Sequence, residues 1–169
     1  MRIAALFLLV AFLVSGFVSV HAQDEDYATR FNRIIEHYMN TKDGLVHNRA
    51  DLASAWAERL ETSLSTAPNH IFPEDKLPLW QEIRDGMVRT TGKIVDSETL
   101  GPQREALTTL SADVKRFIEE FGNPGDKLYV MICRHYGDED YFWLSRTGRV
   151  ANPYFGPERM DCGEVIGEL

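Results

Sequence analysis

The sequence predicts a mainly α fold, an antiparallel four-helix bundle with a small C-terminal β-hairpin and an irregular tail. Three observations lead there. Apolar residues recur with a helical period through four segments between residues 27 and 121. Short to moderate Gly- and Pro-bearing connections separate those segments, which suits antiparallel neighbours. After Gly125 the pattern turns from helical to alternating, and β-branched and aromatic residues take over.

Taken in order, the first helix carries Tyr27, Phe31, Ile34, Ile35 and Tyr38 on one stripe. Asp24, Glu25 and Asp26 lie at its start, where negative charge meets the positive end of the helix dipole. It is expected to stop near Lys42-Asp43-Gly44. The second helix opens near Asn48 and presents Leu52, Ala53, Trp56, Leu60 and Leu64 before Pro68. "APNHIFPEDKLP", with three prolines in twelve residues, reads as a loop. The third helix presents Trp80, Ile83, Met87 and Ile94. The fourth runs from Gly101-Pro102, where proline suits a first turn, through Ala106, Leu107, Leu110, Val114, Phe117, Ile118 and Phe121 to Gly122-Asn123-Pro124-Gly125. The Met and aromatic positions in these stripes read as core. "KLYVMICRH" and "DEDYFWLS" read as two strands joined by a turn at Gly137-Asp138, and "VANPYFGPERMDCGEVIGEL" as mostly irregular.

Residues 1–22 read as a secretory signal: Arg2, an apolar run from Ile3 to Val14, and a cleavage site after Val20-His21-Ala22. Residues 23–125 then form the bundle and residues 126–169 a β/irregular segment packed on it, one domain in all. The expected location is periplasmic or secreted, with no membrane insertion after cleavage. A net charge of −8 without a long Lys/Arg cluster makes the chain a poor candidate for phosphate backbones or anionic lipid surfaces, and nucleic acid is set aside as a partner. No GxSxG, HExxH, CxxC or phosphate-cradling glycine loop occurs. Glu119-Glu120 and Asp138-Glu139-Asp140 read as solvated charges, and His37, His47 and His70 as surface or capping residues. The chain is therefore expected not to be an enzyme.

Chemistry concentrates on two cysteines, Cys133 and Cys162. Strand alternation places Leu128, Val130 and Ile132 on one face, against the helices, and Met131, Cys133 and His135 on the other. If "RMDC" is extended, Met160 and Cys162 also point one way. Thiolate, thioether and imidazole together suit Cu(I), with Zn(II) less favoured. The competing reading is a Cys133–Cys162 disulfide, the ordinary use of two cysteines in an exported domain, and an oxidised pair leaves no copper site. A nucleophilic Cys133 is disfavoured because His135, at i+2 on a strand, lies roughly 6–7 Å away.

"FWLS", "NPYFG" and "MDCGEV" resemble the end of an uncharacterised bacterial family of exported proteins, whose domain occurs alone or joined to periplasmic adaptor subunits of copper/silver efflux systems. "YATRFNRIIEHYMNTKDGLVHN" and "QREALTTLSADVKRFI" are similar to that family's first and last helices. The resemblance implies soft-metal binding through a Cys/Met set, and an envelope efflux or adaptor protein as partner. Cys133 and Cys162 match that set. Arg134-His135 stands where the family has Pro-Met, and Arg159 where it has its second methionine, with Met160 displaced by one residue. The resulting expectation is an exported, non-enzymatic protein that binds or buffers a soft metal, through Cys133, Cys162 and His135 with Met131 or Met160. A disulfide-stapled interaction module without metal is the alternative.

Overall fold

The computed structural model describes residues 25–134 and 141–169. The expected signal peptide, the Gly137-Asp138 turn and His135 lie outside the described residues.

Four helices account for most of the chain: α1 Tyr27–Val46, α2 Ala50–Ser65, α3 Leu77–Val95 and α4 Leu100–Phe121. Each forms where the apolar stripe predicts it. Phe31, Ile34, Leu60, Leu64, Trp80, Ile83, Met87, Leu110, Val114 and Phe117 from all four helices share one buried core. Asp26 caps α1, its carboxylate accepting from the Thr29 N–H at 2.7 Å. That bond holds the Asp26 carboxyl below the usual carboxylate range. α4 stops at Gly122, whose φ of +83° a side chain would resist.

α1 does not stop at Lys42-Asp43-Gly44 but continues to Val46. Gly44 is a packing glycine here, not a helix terminator. A Cβ on it would lie 2.7 Å from the backbone nitrogen of Ala53, so its bareness lets α2 fold back closely against α1. Asn48, at φ 55°, turns the chain between the two helices. The proline-rich loop contains two short 3-10 turns, Asn69–Ile71 and Glu74–Lys76. Between them it delivers Phe72, stacked on Trp80 at 4.0 Å between ring centroids. Consecutive helices pack side by side, and α4 also packs against the sheet.

The sheet has three antiparallel strands rather than a hairpin: β1 Tyr129–Cys133, β2 Tyr141–Ser145 and β3 Glu164–Glu168, in the order β2-β1-β3. β3 lies in the stretch expected to be irregular. "EVIGE" offers two glutamates, a glycine and two adjacent apolar residues, so alternation gives no signal there. It becomes a strand because β1 has a second edge whose backbone groups need partners. Reciprocal bonds between Leu128 and Leu169 extend that pairing. A bulge between Val130 and Met131 leaves Ile166 as the extra residue on β3.

The face assignment for β1 also changes. Leu128, Val130 and Ile132 are buried as expected, but Met131 and Cys133 are buried too, at 0% and 1% exposure. Met131 lies opposite Trp143, itself fully buried. β1 is thus the central strand with both faces covered, and neither set is open to solvent.

Candidate functional site

The two cysteines meet. Cys133 is the last residue of β1, Cys162 stands just before β3, and they form a disulfide with 5.6 Å between their Cα atoms. They are 29 residues apart in sequence, so the bond closes the whole of β2 and the tail into one loop. Cys133 is buried and Cys162 half-buried.

Asn152 knots the tail to this bond. Its Nδ2 donates to the Cys162 carbonyl at 2.8 Å. Its Oδ1 accepts from the N–H groups of Tyr154 and Phe155, and its own N–H donates to the Met160 carbonyl. Asn152 is fully buried, so each bond satisfies a group that water cannot reach. Tyr154 lies beside Trp143 and Tyr141, and its hydroxyl donates to the Phe142 carbonyl at 2.7 Å. Gly156, at φ 58°, closes the turn. A Cβ there would overlap Asn48 Oδ1 and stand 2.8 Å from the Arg104 guanidinium.

Arg104 ties this knot to the helices. From α4 it donates through Nε to the Pro153 carbonyl at 2.8 Å, and through Nη2 to the Leu45 carbonyl and to Asn48 Oδ1. One guanidinium therefore joins the tail, α4 and the α1–α2 turn. Tyr38 makes a second joint. Its hydroxyl accepts from the Leu144 N–H of β2 and pairs with Ser111 of α4 at 2.8 Å. Burial pushes the Tyr38 phenol up to about 12. The Tyr154 phenol is raised as well, chiefly by burial.

Of the expected ligand set, the fold joins Cys133 and Cys162 and keeps Met131 buried two residues before Cys133. Met160 is 37% exposed and engages the knot through its carbonyl rather than its sulfur. His135 lies outside the described residues. Among the described residues, no cluster of three or more His, Cys, Asp or Glu side chains stands ready to hold a metal ion. His47 and His70 are exposed, while His37 bonds Ser63 Oγ through Nδ1 and lies beside Trp56. Burial depresses the His37 pKa. Glu119 and Glu120 are engaged by Lys115 and Lys76. Sequence reasoning missed the roles of Arg104, Asn48 and Tyr38. No local pattern distinguishes Arg104 from Arg116 of the same helix, which pairs with Glu82 at the surface.

The architecture is thus a mainly helical domain whose small antiparallel sheet is pinned by one disulfide and one asparagine-centred turn. The chain belongs to the family described as Protein of unknown function (DUF3347), whose model matches residues 34–126. That match spans the helices from within α1 to the connection before β1, so both cysteines and the tail lie outside it. No curated protein and no solved structure matches the chain.

Proposed function

We propose that this chain is an exported, non-enzymatic binding protein, its helices forming an antiparallel four-helix bundle, and that the Cys133–Cys162 pair is its working element. Oxidised, the pair staples the tail. Reduced, it binds a soft metal, copper as Cu(I) before zinc, with His135 and Met131 or Met160 completing the shell. The observation that carries this reading is the convergence of the two cysteines beside the buried thioether-bearing strand position 131. A dithiol reductant, itself oxidised to a disulfide, supplies the two electrons and two protons that open the bond, and Cu(I) then displaces the thiol protons. A disulfide is at home in an oxidising compartment, which accords with a periplasmic or secreted location reached through a signal at residues 1–22. Among the described residues no helix is long and apolar enough to cross a membrane. An envelope efflux or adaptor protein is the partner that would deliver or receive the metal.

The test is a Cu(I) titration of the reduced protein without oxygen, in competition with a coloured Cu(I) chelator. One ion per reduced chain, none per oxidised chain and none in C133S/C162S is the expected result. Equal binding by the double variant sinks the proposal. A second reading has its own support in the disulfide and the Asn152 turn that surrounds it. In that reading the staple is permanent, and the domain docks on its envelope partner through the helical surface. Reduction would then loosen the tail without any uptake of copper.

A further inference from the structure

A cleft of about 500 Å³ opens between the C-terminal half of α1 and the turn that follows β2, away from the cysteines. Its walls differ in charge. The α1 wall carries Glu36, together with Lys42 and Asp43, which pair with each other at 2.5 Å. The turn wall carries Arg146 and Arg149. Among the described residues, Glu36, Arg146 and Arg149 belong to no ion pair. One wall thus offers an uncommitted carboxylate from the middle of α1, and the other two uncommitted guanidiniums. Buried Met39 also lines the cleft. Opposite charges that line one cleft without pairing are complementary to a molecule that carries both.

We propose that this cleft binds a small zwitterion, an amino acid or dipeptide. Its carboxylate lies against Arg146 and Arg149, its ammonium toward Glu36, and its apolar side chain over Met39. Guanidinium pairs suit a carboxylate because they bind it through two parallel N–H donors. The excess of one positive charge, two guanidiniums against Glu36, places the stronger grip at the carboxylate end. The size falls within the range of small-molecule clefts. This inference rests on none of the cysteine chemistry.

The experiment is a calorimetric and amide-NMR titration of the oxidised protein with glycyl-leucine, alongside acetyl-leucine, which lacks the ammonium, and N-acetyl-glycyl-leucine amide, which lacks both charges. Saturable glycyl-leucine binding is expected, with amide shifts confined to residues 36–43 and 145–151, and the doubly capped peptide should not bind. R146Q/R149Q should weaken binding at least about tenfold and E36Q by less. All three altered side chains are exposed, so the variants should melt like the parent protein. Absence of saturation, equal binding of the capped peptide, acetyl-leucine binding as tightly as glycyl-leucine, or unchanged affinity in R146Q/R149Q would each overturn the proposal.

Discussion

Residues 27–121 and the described residues of the sheet and tail, 129–134 and 141–169, reach their folded arrangement by different means. The helices meet through aliphatic and aromatic side chains drawn from stripes that each helix could present on its own. The sheet and tail depend on one covalent bond, one buried asparagine and one arginine reaching over from α4. The first arrangement is redundant, since many contacts share the load and the loss of one leaves a cavity. In the second, a handful of residues each hold several partners, and the losses should be local.

Leu110→Ala tests the helical half hardest. Leu110 is fully buried on α4, and removing it should cost about 3–5 kcal/mol in a urea melt, in the same measure with and without reductant. The disulfide tests the other half. Reduction, or C133A/C162A, should cost about 3–4 kcal/mol from the loop it closes. The loss should appear in hydrogen exchange as weakened protection in β3 and residues 150–163, while α1–α4 stay protected. Helices that open together with the tail would show that the two halves are one cooperative unit, and the contrast would fail.

Asn152→Ala comes next, at about 2–3 kcal/mol, because it leaves the buried Tyr154 N–H and the part-buried Phe155 N–H and Cys162 carbonyl without their partner. Its effect should be smaller in protein already reduced, since the turn and the disulfide hold the same segment and their losses should not add. Full additivity would place the two on independent parts of the tail.

The same contrast governs what could be read from sequence. A helix that buries one face writes that face every third or fourth residue, so α2, α3 and α4 were legible almost to their ends. The end of α1 was not. Gly44 looks the same whether it terminates a helix or admits a neighbouring one, and only the approach of Ala53 decides. β3 was invisible for a related reason. Its strand character comes from β1's unpaired edge and not from "EVIGE" itself. Both faces of β1 are buried because it is central, which a five-residue apolar run cannot reveal. At the site, the pairing of Cys133 with Cys162 was one of two open readings. The reach of Arg104 to Pro153, Leu45 and Asn48 joins three segments distant in sequence, and no local pattern encodes it.

The smallest effect is expected at the joint between the halves, and pH is the tool that reaches it. Tyr38 of α1 bonds Ser111 of α4 and Leu144 of β2 without exposure to water, and burial raises its phenol from 10.0 to about 12. A raised phenol pKa means that the folded state holds its proton more tightly than the unfolded chain. The stabilisation is therefore fully present below pH 10 and is lost as pH climbs from there toward 12, at about 1.4 kcal/mol per pH unit for each such phenol. Tyr154 is raised in the same direction and contributes over the same onset. Stability measured by urea melts should thus be insensitive to these groups up to pH 9 and fall above pH 10. Tyr38→Phe should remove its share of that slope while weakening the protein at neutral pH by about 1 kcal/mol through the lost hydrogen bonds. An alkaline slope identical in Tyr38→Phe and the parent would mean that the phenol reaches water before the protein unfolds, and that the two halves part at this joint first.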